Sequence, residues 1–382
     1  MSPDGANFAE GDRRQMRRAL ALARRGLGAT SPNPMVGAVL VRDGLALGEG
    51  WHRKAGDPHA EVEALRAAGR AGNDPKGSTL YVTLEPCSTH GRTPPCVGAI
   101  LAAGIREVVV AATDPNPAHR GRGLELLRAG GVVVRSGLLA GRAEELNASF
   151  NHWITRRAPL VTAKWAMSLD GRIATRTGDS KWLTGPAARE NAMRFRHEVD
   201  AILAGVNTVL ADNPKLNLRP VAGRRPPAHK RLRRIILDPA SRTPPDALVL
   251  GEQDRFPTTI VVSEGVDASA LEPLAQVWRA PPGRKDGEIP LPWLLSRLGA
   301  EGVAHLLVEG GGITHARFLA AGLVDRVRVY LAPLVIGGMQ APRAVGGVGF
   351  RPSLGEPPRL EAVAMRRLGP DLLQTAHIIR NP

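Results

Sequence analysis

Two successive layered α/β domains are the fold the sequence predicts, and three observations predict it. The chain has 382 residues, more than one hydrophobic core ordinarily organises. Short β-branched runs alternate with stretches of helical period, the pattern of strands covered by helices. At Ala158-Pro159 that pattern breaks, and a fresh alternation begins.

In the first half, residues 15–26 read as an amphipathic helix with Met16, Ala19, Leu20 and Ala23 on one face. Ser31-Pro32-Asn33-Pro34 ends it. Residues 35–41 predict a strand, turned at Arg42-Asp43-Gly44 into a second over 45–50. A loop over 51–58 closes with Asp57-Pro58, which starts a helix over 59–69. A strand over 79–84 runs into Pro86-Cys87. Cys96, after Pro94-Pro95, opens a helix over 97–103. A strand over 107–112, the loop Asp114-Pro115-Asn116-Pro117, a helix near 124–129, a strand over 132–135 and one helix over 141–153 complete the half.

In the second half, strands are expected over 160–166, 200–205, 234–237, 258–262, 303–308 and 327–331. Helices are expected over 186–197, 291–298 and 313–320, with a loop or short helix over 207–214. Glu309-Gly310-Gly311-Gly312 lies between a strand and a helix. Such a run lets backbone N–H groups approach a phosphate at a helix N-terminus, or simply makes a tight turn. It is not the G-x-G-x-x-G of a Rossmann dinucleotide site.

Composition limits the function classes. Hydrophobic residues at 43% suffice for packed interiors, and no apolar run is long enough to cross a bilayer. The first fifteen residues are polar and charged, without the apolar core of a signal peptide. The only two cysteines leave no disulfide framework if both bind metal, so a cytoplasmic protein is expected. A net charge of +15 raises the question of nucleic acid. Residues 214–237 hold eight Lys/Arg and no acid. They lack aromatics for base stacking and are broken by Pro and Gly, so a solvated loop near a site for phosphorylated ligands explains them better.

The chemistry concentrates in His59-Ala60-Glu61, Pro86-Cys87 and Cys96. One His and two thiolates make three ligands for Zn²⁺ and leave a fourth tetrahedral position for water. Glu61, two residues after the His, can take that water's proton and pass it to a leaving amine. H-x-E followed by P-C-x-x-C marks the zinc deaminases of nucleobases. Here eight residues separate the cysteines instead of two.

Residues 11–155 resemble the deaminase half of the bifunctional riboflavin-pathway deaminase/reductases. The resemblance rests on Ser31-Pro32-Asn33-Pro34-Met35-Val36-Gly37-Ala38, on His59-Ala60-Glu61, on Thr83-Leu84-Glu85-Pro86-Cys87, on Gly91-Arg92-Thr93-Pro94-Pro95-Cys96 and on Asp114-Pro115-Asn116-Pro117. It implies a cytidine-deaminase-like fold and hydrolytic deamination of a diaminopyrimidinone ribosyl 5′-phosphate. By motif match, His59, Cys87 and Cys96 hold Zn²⁺ and Glu61 shuttles protons. Asn33, His52, Asp114 and Asn116 are implied substrate contacts, and Arg92 a phosphate contact; the Asn-Pro and Asp-Pro pairs are equally good turn formers. One departure stands out. The family usually reads Cys-Ser-His-x-Gly-Arg, whereas this chain reads Cys87-Ser88-Thr89-His90-Gly91-Arg92, with the imidazole one position later or lost from its usual place.

Residues 159–380 are similar to the reductase half of the same family. The motifs are Lys164 with Ser168-Leu169-Asp170-Gly171, Gly178-Asp179-Ser180-Lys181-Trp182-Leu183-Thr184, Thr208-Val209-Leu210-Ala211-Asp212-Asn213-Pro214, Val308-Glu309-Gly310-Gly311 and Leu334-Val335-Ile336-Gly337-Gly338. They imply a dihydrofolate-reductase-like fold and NADPH-dependent reduction of the ribosyl moiety to a ribityl chain. By motif position, Ala166, Trp182, Thr208, Asp212, Gly311, Gly312 and Ile313 would meet NADPH. Ser180, Arg196, Leu216, Arg219 and Glu309 would meet substrate, with Arg196 and Arg219 as guanidinium partners for a 5′-phosphate. Lys164 and Asp170 are either catalytic or a structural ion pair. The resemblance also implies a homo-oligomer acting on a small phosphorylated pyrimidine, with no nucleic acid and no membrane. Two other classes are weighed beside it: a tRNA-type deaminase with an appended RNA-binding domain, and a zinc-stabilised structural protein in which Glu61 would be dispensable.

Overall fold

A computed structural model of the chain describes residues 8–379, apart from 90–93, 224, 284–286, 348 and 350–356. The chain divides into two compact units, Met1–Arg157 and Ala158–Pro382.

In the first unit, α1 (Glu10–Ala23) precedes β1 (Gly37–Arg42) and β2 (Leu45–Trp51). Then come α2 (Ala60–Arg70), β3 (Thr79–Leu84), α3 (Cys96–Ala102), β4 (Glu107–Ala112), α4 (Arg122–Ala129), β5 (Val133–Ser136), α5 (Ala140–Leu146) and α6 (Ala148–Arg156). The sheet runs β2-β1-β3-β4-β5. β1 is antiparallel to β2 and β3, and β3, β4 and β5 are parallel. Side chains alternate across it. Leu40, Leu80, Val82, Val108 and Val110 pack with α2, α3 and α4, while Val39, Tyr81, Val109 and Ala111 pack with α1 and α5. Burial on both faces is why these strands read as continuous apolar runs.

Two helices depart most from expectation. α1 begins at Glu10, ahead of the expected residue 15, because Asp12 turns inward. Its carboxylate accepts from Ala9 N–H (3.1 Å), Tyr81 O–H (2.6 Å) and Arg135 (2.9 Å). A buried charge leaves no apolar periodicity to read. The single helix expected over 141–153 is two, separated at Asn147. The Asn147 Oδ1 accepts from Met35 N–H (2.8 Å), and its Nδ2 donates to the Met35 carbonyl (2.9 Å). That pair of bonds fixes the chain just before β1.

The second unit contains β6 (Leu160–Met167), α7 (Pro186–Arg196), β7 (Ala201–Gly205), α8 (Val206–Asp212), β8 (Arg233–Leu237), β9 (Thr258–Ser263) and β10 (Gln276–Ala280). α9 (Leu291–Ala300), β11 (His305–Val308), α10 (Gly312–Ala320), β12 (Arg326–Leu331), β13 (Leu360–Leu368) and β14 (Asp371–Ile378) follow. Nine strands are ordered β10-β9-β8-β7-β11-β6-β12-β14-β13. Those from β10 to β12 are parallel, and the hairpin β13-β14 closes the edge antiparallel. β10, β13 and β14 were not expected from the sequence. β13 is exposed along all but its last residue, so no buried face marks it.

The basic stretch is not a solvated loop throughout. Lys230 is buried with its Nζ 3.4 Å from Asp200, and Arg233 pairs with Glu301 at 2.9 Å. Arg234 is 1% exposed and donates to the carbonyls of Lys215 and Gly251. Burial pushes its guanidinium down to about 10. These three cations serve the fold.

Candidate functional site

α2 carries two of the four chemistry-bearing groups, and two glycines set its position. A Cβ on Gly50 would overlap the Ala60 carbonyl and the Ala64 nitrogen; one on Gly48 would overlap the Ala64 carbonyl. Only glycine lets α2 lie backbone to backbone on β2. His59 is then the N-cap of α2 with an extended backbone, and Glu61 lies in its first turn, buried. Cys87 follows the end of β3, and Cys96 opens α3.

The ligand atoms of His59, Cys87 and Cys96 lie within 4.8 Å of one another. The His59 Nδ1 is 3.2 Å from the Cys96 Sγ and 3.4 Å from the Cys87 Sγ. Cys96 N–H donates to the Cys87 Sγ at 3.3 Å. Hydrogen bonds from Cys96, and then from His59, pull the Cys87 thiol down to about 4. The hydrogen bond to Cys87 pushes Cys96 up, and that to Cys87 also holds His59 up. These three groups share protons that a divalent metal displaces on binding. One imidazole nitrogen and two converging sulfurs fit Zn²⁺.

Burial pushes the Glu61 carboxyl up to about 7, against the pull of His59. Its Oε2 is buried without a hydrogen-bond partner among the described residues. A carboxyl so placed can both accept and return a proton.

Around this cluster, the Asn33 Nδ2 meets the His52 Nε2 at 3.1 Å, and the His52 Nδ1 meets the Pro58 carbonyl at 3.2 Å. One tautomer satisfies both: Nδ1–H donates and Nε2 accepts. Burial lowers the His52 pKa, which keeps the ring neutral. The ring stands edge-on to His59, with centroids 5.4 Å apart. Asn33 and His52 are thus brought to the cluster together. Asp114 and Asn116 make turn bonds, accepting from Asn116 N–H (2.9 Å) and Ala118 N–H (3.2 Å). Burial raises the Asp114 pKa. Arg92, and His90 beside it, lie outside the described residues.

Glu85 has a role that residue type and spacing do not reveal. Its carboxylate accepts from Asp114 N–H (3.0 Å), Gly121 N–H (3.0 Å) and Gly123 N–H (2.9 Å). It therefore ties the Asp114 loop and the start of α4 to the strand end that carries Cys87. The only signal was an acid directly before Pro86-Cys87.

In the second unit, Ala166, Thr208 and Glu309 lie at or just beyond the carboxyl ends of β6, β7 and β11, where ligands of open α/β sheets bind. Glu309 follows β11 and receives both prongs of Arg196, at 2.9 and 2.7 Å, with the Lys164 Nζ at 3.5 Å. Burial would raise Glu309, but Arg196 and Lys164 overcome it and hold the carboxyl at about 2. Lys164 therefore pairs with Glu309. Asp170 has other partners: Ser168 O–H (2.6 Å), Ile336 N–H (3.0 Å) and Gly337 N–H (2.8 Å). Those bonds join the loops after β6 and β12.

Ser180 O–H donates to Asp212 at 3.2 Å, joining an expected substrate contact to an expected cofactor contact. Ala166 sits near the end of β6, opposite Tyr330. Of the three glycines after Glu309, two make room for the protein itself. A Cβ on Gly310 would meet Thr314, and one on Gly312 would meet the backbone of Arg343 and Gly346. Gly311 has only the Thr208 Oγ1 near, at 3.7 Å from such a Cβ. Ile313 and Trp182 are exposed, and the Arg189 guanidinium lies over the Trp182 ring at 4.6 Å. Leu216 is buried in the core, leaving its backbone for any ligand, whereas Arg219 is exposed. Gly311 is the N-cap of α10, with the Thr208 hydroxyl near it and Ile313 exposed on the first turn; backbone N–H groups at such a helix N-terminus fit a phosphate-bearing cofactor such as NADPH.

Two family models match the chain. The cytidine and deoxycytidylate deaminase zinc-binding region covers residues 9–112, and the RibD C-terminal domain covers residues 159–374. The riboflavin biosynthesis protein RibD of Bacillus amyloliquefaciens is 42% identical over 94% of this chain and 95% of its own length. That of Escherichia coli K12 is 38% identical, over 94% and 98%. Among solved structures, Acinetobacter baumannii RibD matches with a TM-score of 0.87 at 34% identity, covering 97% of this chain and 99% of that one. A diaminohydroxyphosphoribosylaminopyrimidine deaminase/5-amino-6-(5-phosphoribosylamino)uracil reductase from Thermotoga maritima matches with 0.84 at 32%, with the same coverage.

Proposed function

The chain belongs to the RibD family of riboflavin biosynthesis, a bifunctional deaminase and reductase, and from that premise we propose how its own residues divide the work. The first unit has the cytidine-deaminase-like fold and the second the dihydrofolate-reductase-like fold. The single observation that carries the reading is the convergence of His59, Cys87 and Cys96 beside the buried, half-unpartnered carboxyl of Glu61.

The first reaction replaces the 2-amino group of the diaminopyrimidinone ribosyl 5′-phosphate with oxygen from water and releases ammonia. His59, Cys87 and Cys96 hold Zn²⁺, which supplies Lewis acidity when bound. Glu61 takes a proton from the attacking water at its buried oxygen and delivers it to the departing nitrogen. Asn33 and His52 hold the pyrimidine, with Asp114, Asn116 and Arg92 as further contacts. A neutral His52 whose Nδ1–H is held by Pro58 keeps the Asn33 amide oriented.

In the second unit, Ala166, Trp182, Thr208, Asp212, Gly311, Gly312 and Ile313 hold NADPH, which supplies the hydride. Ser180, Arg196, the Leu216 backbone, Arg219 and Glu309 position the ribosyl phosphate. Exposed Arg219 is the freer of the two guanidiniums, since Arg196 is held by Glu309.

The domain limits are residues 11–155 and 159–380. The ligand is a small molecule, and among the described residues no helix is long and apolar enough to cross a membrane. A cytoplasmic location without nucleic-acid partners suits this reading, as does the use of Lys230, Arg233 and Arg234 inside the fold. The outermost strand β13 exposes Leu360, Val363 and Met365, apolar surface that a second copy would cover in a homo-oligomer.

The test is ammonia release by the zinc-loaded protein from the diaminopyrimidinone ribosyl phosphate, with and without NADPH. Ammonia without NADPH, and NADPH oxidation only after deamination, is the expected result. Ammonia with no NADPH oxidation would remove the reductase assignment, and no ammonia would remove the deaminase assignment.

A further inference from the structure

We infer that His119, through its imidazole beside the Thr89 hydroxyl, is a substrate-binding residue of the deaminase that takes the phosphoribosyl arm. The inference rests on the reading of the first unit given above.

Five observations lead to it. Thr89 is two residues beyond Cys87, on the segment that joins the two sulfur ligands. Its Oγ1 lies 3.5 Å from the His119 Nδ1, and both residues are half-buried. The loop carrying His119 is fixed: His119 N–H donates to the Asn116 carbonyl at 2.9 Å, and Glu85 holds Gly121 N–H and Asp114 N–H. His119 is also within electrostatic reach of the Asp114 carboxyl. Its Nε2 has no hydrogen-bond partner among the described residues.

A half-buried imidazole with one nitrogen held and the other open is a pre-oriented hydrogen-bonding group. The pyrimidine's reacting carbon must reach the metal ligands, so the arm on the far side of the ring passes the segments that frame them. A hydroxyl and an imidazole there match the ribose hydroxyls and phosphate oxygens of that arm. The fold brings His119 beside Thr89 from thirty residues further along the chain.

The experiment compares steady-state ammonia release and zinc content for the full-length wild type, His119→Ala, and the double variant Thr89→His/His119→Ala. His119→Ala is expected to raise KM about tenfold with kcat changed less than about twofold, as the loss of one ground-state hydrogen bond would. Zinc content should be unchanged, and the double variant should regain most of the lost KM, which a merely structural His119 would not allow. The inference is overturned if His119→Ala keeps the wild-type KM, if it loses zinc, or if the double variant is no better than the single. A wild type that releases no ammonia would instead sink the deaminase reading itself.

Discussion

Arg196 and Glu309 form a two-pronged ion pair, with the Arg196 Nε 2.9 Å from one carboxylate oxygen and the Nη2 2.7 Å from the other. Both are largely withdrawn from solvent, with side chains 16% and 10% exposed. Removing one partner of such a pair leaves a charge buried. Arg196→Ala should therefore destabilise the second unit by roughly 3 kcal/mol. Lys164, at 3.5 Å, offsets part of that loss. Urea unfolding followed by tryptophan fluorescence measures it, and an unchanged midpoint would contradict the assignment.

The same carboxyl predicts a pH dependence. Glu309 is held at about 2 in the folded protein, below its ordinary value. A depressed carboxyl stabilises the fold above the unfolded pKa, and that contribution disappears as pH falls through the folded value. Stability should thus decline from about pH 4.5 toward about pH 2. In Glu309→Gln this part of the decline should be absent when the midpoints are compared across that range.

Glu61→Gln keeps the shape of the side chain and removes its proton chemistry. Deamination should fall by about 10²–10⁴-fold. Zinc content and NADPH-dependent reduction of the already deaminated substrate should persist. A variant that still releases ammonia at the wild-type rate would take the proton role away from Glu61.

Gly50→Ala tests how α2 is held. The added methyl meets the backbone of Ala60 and Ala64, which cannot move without shifting His59 and Glu61. A cost of about 1–3 kcal/mol is expected from overpacking, with weaker zinc retention on dialysis against a chelator. The reductase rate is the control.

Zinc removal should abolish ammonia release and lower the unfolding temperature of the first unit, since ligand binding to the native state is folding free energy. Calorimetry with and without chelator should move only one of two transitions. Movement of both would contradict two separately folding units.

The convergence of His59, Cys87 and Cys96 beside Glu61 could be read from the sequence because the groups are local. His59 and Glu61 share one turn, and Cys87 and Cys96 bracket one short segment, so residue type and spacing already imply convergence. The central strands were legible for the same reason: burial on both faces writes an apolar run into the chain. What only the tertiary structure decided involves partners far apart in sequence. Asn147 divides a helix to hold Met35, and Asp12 turns inward to meet Tyr81 and Arg135. Lys164 chooses Glu309 and leaves Asp170 to cap the Ile336 turn. Of three adjacent glycines, Gly310 and Gly312 are pressed against Thr314 and the Arg343 backbone, while at Gly311 a Cβ would make only an ordinary contact with Thr208. Hydrogen bonds and ion pairs depend on directions and on which surfaces pack together. Those distant polar pairings leave no periodic trace in the order of residues, so the fold alone assigns them.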